Sequence, residues 1–136
     1  MKFIFPAVLL FITTACFSQL HVSVQDLKTN SGTVLIALYN SKKSFNNIQE
    51  VFREGRVKVN DLHANYSFDD LPAGEYAISL FHDVNNNEKL DKTSVGIPAE
   101  PFGFSNNANG SFGPPSFKKA KFTYTGNPKD IVIKVN

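Results

Sequence analysis

Short runs in which apolar and polar residues alternate, each closed by a turn signal, constrain this chain more than any other feature. Leu20, Val22 and Val24 alternate with His21, Ser23 and Gln25, the period of a strand with one buried face and one wet face. Asn30-Ser31-Gly32 supplies a turn, and Thr33 to Tyr39 follows as a more deeply buried strand, so the pair predicts a hairpin. Arg56 to Asn60 and Ala64 to Phe68 read as strands around a turn near Asp61-Leu62-His63. Leu71-Pro72-Ala73-Gly74 predicts a type II turn, with Pro presetting φ and Gly accepting a positive φ. Tyr76, Ile78 and Leu80 then alternate with Ala77, Ser79 and Phe81 in a central strand. Lys118 to Tyr124 and Asp130 to Val135 predict a closing hairpin about Gly126-Asn127-Pro128. Only Ser41 to Glu54 breaks the rhythm. There Phe45, Ile48 and Phe52 stand at helix-like spacing after Ser44, which predicts a short helix or an irregular crossover. The fold class expected is all-β, an antiparallel β-sandwich of about seven strands.

The length of 136 residues fits one domain, and the 42% apolar share fits one core, rich in Phe (13) and free of Trp. Residues 1–18 read as a signal peptide and 19–136 as the folded domain. Lys2 gives a positive start, and Phe3 to Ile12 form an apolar run too short to span a bilayer. Small residues at Cys16 and Ser18 permit cleavage before Gln19, so the expected location is secreted or periplasmic, with no transmembrane span after processing. Two alternatives stand beside this: a retained membrane anchor, and a lipoprotein anchored through Cys16. Thr13-Thr14-Ala15-Cys16 has the small-residue-then-Cys ending of bacterial lipoproteins but lacks Leu or Val three residues before the Cys. Loss of Lys2 with a leader lowers the net charge of +2 by one, and the remaining cations are scattered. Nucleic acid is therefore not an expected partner. Cys16 is the single cysteine, so a domain starting at Gln19 has neither disulfide nor thiolate chemistry.

The strongest chemical signal follows the central strand. Asp83, Asn85, Asn87 and Asp91 occupy positions 1, 3, 5 and 9 of a loop, the spacing at which side-chain oxygens wrap a hard cation such as Ca²⁺. Lys89 would add its backbone carbonyl. Two positions depart from the pattern: Glu88 stands where Gly normally makes the sharp turn, and Ser94 where a bidentate Glu closes the ring. Two formal carboxylates predict a weak site, with Kd on the order of 10⁻⁴–10⁻³ M, unless Glu88 or Glu100 supplies a third. The alternative is a polar loop in which Asp and Asn cap their own backbone. A second candidate is the segment from Phe102 to Phe117. Its rings and amides at Phe102, Phe104, Asn106, Asn107 and Phe112 are what a glycan or protein site uses, flat apolar faces beside directional hydrogen bonds. The alternative tucks Phe102, Phe104, Phe112 and Phe117 under the loop as a satellite core. His21, His63 and His82 show no ligand spacing, and Gly-x-Ser-x-Gly, His-Glu-x-x-His and phosphate-loop motifs are missing from the sequence. The expected role is non-catalytic.

Three runs in order carry a family resemblance. They are Leu71-Pro-x-Gly-x-Tyr-Ala-Ile-x-x-Phe-His-Asp-x-Asn-x-Asn-x-Lys-Leu-Asp91, Gly96-Ile-Pro-x-Glu-x-Phe-Gly-Phe-Ser-Asn-Asn107 and Phe112-Gly-Pro-Pro-Ser-Phe117. With them the chain resembles the bacterial domain-of-unknown-function family 2141, over essentially everything after the leader. That resemblance implies a secretion route and a fold, and it implies no activity. The turn-strand-loop unit also resembles Cna B-type adhesin repeats and prealbumin-like sandwiches, some of which carry a Ca²⁺ loop. It implies an Ig-like or prealbumin-like sandwich by fold-level analogy. Beside an exported binding domain of unknown ligand stand a small secreted hydrolase using His82 and Asp83, and a purely structural envelope component.

Overall fold

Two β-sheets packed face to face form the computed structural model, which describes residues 18–136. The strands are β1 (Gln19–Gln25), β2 (Thr33–Tyr39), β3 (Arg53–Lys58), β4 (Ala64–Asp69), β5 (Gly74–Asp83), β6 (Phe102–Phe104), β7 (Phe122–Tyr124) and β8 (Lys129–Lys134). One sheet has the order β4-β1-β8; the other runs β3-β2-β5-β6, with β7 also pairing β5. The chain is an all-β sandwich. The residues expected to serve as a leader lie, apart from Ser18, outside the described part. Among the described residues no helix is long and apolar enough to cross a membrane.

The alternation read from the sequence decides which side of each strand is dry. Leu20, Val22 and Val24 on β1 and Ile131 and Ile133 on β8 face Val34, Ile36 and Leu38 on β2 and Tyr76, Ile78 and Leu80 on β5. Each such side chain, taken fully from water, contributes about 1.5–3 kcal/mol, and together they join the sheets.

Strand pairing departs from the expected hairpins at three places, for one reason. β1 and β2 do not pair with each other: β1 pairs β4 and β8, whereas β2 pairs β3 and β5. Both strands carry a complete apolar face, and those faces cover one another only when the strands lie in opposite sheets. Residues 26–32 make that crossing, with Asp26 at φ 65 and Gly32 at φ 81. The turn at residues 60–63 forms as expected, with Asp61 and Leu62 both at positive φ. Its arms nevertheless diverge, β3 onto β2 and β4 onto β1. The closing hairpin is replaced by the same device: β7 joins β5, and β8 lies parallel to β1. That pairing is the one parallel contact among the described strands.

Three local expectations are also corrected. Residues 41–54 form the irregular crossover, holding only a 3-10 turn at Ile48–Glu50 that the Asn47 side chain caps from 3.1 Å. Phe117–Ala120 is a one-turn helix, α1, rather than the start of a strand. Its terminal carbonyls are held by side chains: Ser105 Oγ donates to Ala120 O, and the Asn106 amide donates to Lys119 O and Lys121 O. Gly74 does not take the positive φ of a type II turn; it opens β5 opposite Tyr124, and Asp70 takes the left-handed conformation instead at φ 55.

Candidate functional site

Cross-strand register on the five-stranded sheet builds a groove on the side away from the core. Residues that alternate with the buried set point outward and line up in two rows. One row runs Arg56, Leu35, Phe81, Phe102; the next runs Glu54, Ala37, Ser79, Phe104. Both rows go from a charged residue on β3 to a ring on β6. Residues of the 88–98 and 110–114 segments also line this space, whose volume is about 1230 Å³. Large apolar groups crown these segments: Val95 is 77% exposed, Ile97 is 61% exposed, and the Phe112 ring stands fully in solvent. Apolar groups gathered on a concave surface are an arrangement that soluble proteins keep for contact with something else.

The aromatic segment divides between the two roles considered for it. Phe104 packs edge-on to Phe45 and Phe102, and Phe45 in turn meets Tyr39 and Phe117, with ring centroids 5.5 to 6.4 Å apart. These rings form a half-buried satellite cluster whose upper surface floors one end of the groove. Phe102, Phe104 and Phe112 therefore share the groove, as three of the five residues singled out for ligand binding. Asn106 and Asn107 are elsewhere. Asn106 holds the end of α1, and Asn107 Oδ1 accepts from the Lys134 backbone N–H at 2.9 Å. Tyr39 lies at the edge of the groove, and burial raises its phenol pKa from 10.0, partly offset by a hydrogen bond with Ser79.

The oxygen-rich loop leaves β5 at the same end as β3. Asp83 is 1% exposed; its Oδ1 accepts from Asn87 N at 3.2 Å and its Oδ2 from Glu88 N at 2.8 Å. Asp91 receives both amides, Asn85 Nδ2 on Oδ2 and Asn87 Nδ2 on Oδ1, each at 2.7 Å. Asn85 Oδ1 accepts from Asn87 N and Asn87 Oδ1 from Lys89 N. Asn85 and Asn87 are thus gathered on the Asp91 carboxylate, while Asp83 turns its carboxylate onto the loop backbone. Asn86 and Glu88 take left-handed conformations at φ 55 and 64, so Glu88 adopts the geometry for which the cation-loop pattern normally uses Gly. Its carboxylate pairs with Arg56 in the groove floor, which joins loop and groove into one structure. Among the described residues, no three His, Cys, Asp or Glu are grouped to hold a metal; any cation here would depend on Asn and backbone oxygens.

Glu100 and His82 secure the loop from below. Glu100, buried just before β6, accepts from Val84 N through Oε1 and from Asp91 N through Oε2, both at 3.1 Å. It clasps the beginning of the loop to its end. His82 is fully buried, its Nε2 donates to Ser31 O at 2.6 Å, and its Nδ1 has no partner among the described residues. The Ser31–Gly32 turn presses closely here: a Cβ on Gly32 would collide with Asp83 O. His82 and Asp83 direct their hydrogen bonds to different backbone groups.

Sequence reasoning overlooked Leu35, Phe81, Val95 and Ile97. A signal was present, since β2 is apolar on both faces and Phe81 breaks the polar phase of β5. Such runs read equally as strands covered on both sides, which concealed an open groove. Glu100 was noticed only as a spare carboxylate, because a residue nine positions past the loop reveals its clasp only in three dimensions.

The family model described as an uncharacterized protein conserved in bacteria (DUF2141) matches residues 22–132. The chain belongs to that family. No curated protein and no solved structure matches it.

Proposed function

We propose that this DUF2141 protein is an exported, non-catalytic binding domain that receives an extracytoplasmic ligand, glycan or protein among the candidates, on the outer face of its five-stranded sheet. The groove is the observation that carries the reading: an apolar floor in two registered rows, with exposed Val95, Ile97 and Phe112 on its walls. The direction of the His82 and Asp83 hydrogen bonds toward backbone supports a non-catalytic role. Residues 83–91 act as a weak Ca²⁺ loop that stiffens one wall. Asp83, Asn85, Asn87 and Asp91 provide the side-chain oxygens and Lys89 a carbonyl, the two Asn amides turning over to present oxygen to the ion.

Amide-resolved NMR with pooled glycans, peptides and small amphiphiles tests the groove, whichever of them binds. Binding should shift residues around Leu35, Phe81, Ile97 and Phe102 together. Shifts confined to the β4-β1-β8 sheet would refute the assignment. For the loop, melting in millimolar Ca²⁺ should exceed melting in chelator by several degrees, and Asp83→Ala should remove the difference. Equal melts would eliminate the ion.

One observation favours the lipid-anchored form of export over cleavage before Gln19. The Ser18 hydroxyl hydrogen-bonds the buried Tyr124 hydroxyl, and Ser18 O accepts from Asp70 N at 3.3 Å. A mature chain beginning at Cys16 keeps these bonds; one beginning at Gln19 loses them. Mass spectrometry of the mature N-terminus decides between the two.

A further inference from the structure

We infer that the ligand of this groove is an amphipathic anion: a single carboxylate or phosphate head on an acyl or comparably flexible hydrocarbon tail. The inference rests on the groove being the binding face and adds the chemistry of its occupant. Its basis is the polarity of the groove from end to end. At the β6 end lie Phe102 and Phe104, backed by Phe45, and the floor continues through Phe81 and Leu35 without a charge. At the β3 end the floor finishes in Arg56 and Glu54, and Lys89 and Lys92 line the same space.

The cations there are not equivalent. Arg56 is occupied by Glu88, while Lys89 and Lys92 form no ion pair among the described residues. Lys89 follows Glu88 directly, so the Arg56–Glu88 contact fixes it at the β3 end. An anionic head placed there meets the uncommitted ammonium of Lys89, with that of Lys92 lining the same groove. Of the carboxylates lining the groove, Glu88 is paired with Arg56 and Glu54 is not; Asp83 and Asp91 in the adjoining loop turn their oxygens onto backbone and amide N–H groups. The tail then lies across Leu35 and Phe81 toward the rings. Val95 and Ile97, exposed on the tongue closed by the Thr93 N to Ile97 O bond, and Phe112, which lines the same groove, would cover it. A glycan would waste this floor, which offers apolar carbon and few directed hydrogen-bonding groups. A peptide strand would find no use for the segregation of charge to one end.

The test uses cis-parinaric acid, a fluorescent fatty acid, and its methyl ester, which has the same tail and no charge. The acid should bind saturably, and the ester about fivefold more weakly, the ratio expected when two exposed ion contacts of modest strength are lost. The double variant Lys89→Gln/Lys92→Gln, both positions being exposed, should bring the two probes to equal affinity while the melting temperature in chelator stays unchanged. Phe112→Ser and Ile97→Ser, also at exposed sites, should weaken both probes alike. Equal binding of acid and ester to the unmodified protein overturns the inference, as does an unchanged ratio in the double variant. Saturable binding of a glycan or neutral peptide in the groove, with no binding of the acid, overturns it while leaving the groove as the binding face. Binding of all probes away from the groove removes both.

Discussion

Replacing Glu100 by Ala removes the clasp that joins the two ends of the 84–91 loop, and its cost can be worked from the geometry. Two backbone N–H groups, those of Val84 and Asp91, lose a carboxylate acceptor at 3.1 Å. Hydrogen bonds to charged groups contribute about 1.5–3 kcal/mol each. The lower part of that range applies because the loop is exposed, so the freed N–H groups can turn to water, and because the buried carboxylate no longer has to be desolvated. The sum is about 2–3 kcal/mol. For a domain of this size 1 kcal/mol moves the melting midpoint by roughly 4 °C, so the variant should melt about 8–12 °C lower. Glu100→Gln keeps one accepting oxygen but turns an NH₂ toward the other N–H, and should fall between. Exposed Glu50, replaced by Ala as a control, should shift the midpoint by about 2 °C or less. Differential scanning calorimetry reads the midpoints, and hydrogen exchange should quicken at Val84 and Asp91 before the rest of β5. Should Glu100→Ala melt within about 2 °C of the unmodified protein, the clasp would not be holding the loop.

Ser105→Ala should cost about 2–3 kcal/mol by chemical denaturation, because Ser105 Oγ is fully buried, accepts from Ile78 N at 2.9 Å and donates to Ala120 O. Gly32→Ala should lower the melting midpoint by at least as much, since φ is 81 and a Cβ would meet Asp83 O. Burial raises the phenol pKa of Tyr39, and burial likewise raises that of Tyr76, opposed by Arg53. A pKa raised by folding gives stability that is intact below the unfolded value of 10.0 and is lost as pH rises through the folded value. Melts should therefore hold steady up to about pH 9 and decline above 10, and Tyr39→Phe should flatten that decline.

What the sequence disclosed was local, and what it concealed was pairing. Alternation at Leu20, Val22 and Val24 placed β1 and its dry face correctly, as did Tyr76, Ile78 and Leu80 for β5. Nearest-neighbour turns such as Asn30-Ser31-Gly32 suggested hairpins, because a turn motif records that the chain reverses and not which sheet receives it. The choice was made by mutual coverage of apolar faces, a property of pairs of distant strands. The loop shows the same division. Spacing alone marked Asp83, Asn85, Asn87 and Asp91 as one loop, yet the inward turn of Asp83 onto the backbone and the reach of Glu100 depend on the Ser31–Gly32 turn and on β6. The groove was least legible, because it is made by register: Leu35, Phe81 and Phe102 become neighbours only when β2, β5 and β6 align.

Amide chemical-shift mapping of the domain during titration with cis-parinaric acid addresses the binding face most directly. Saturable shifts should cluster at Leu35, Phe81, Ile97, Phe102 and Phe112, reaching Lys89 and Lys92 at one end, while Val22 and Val132 on the other sheet stay still. Shifts scattered over both sheets, or centred on β4-β1-β8, would contradict the account.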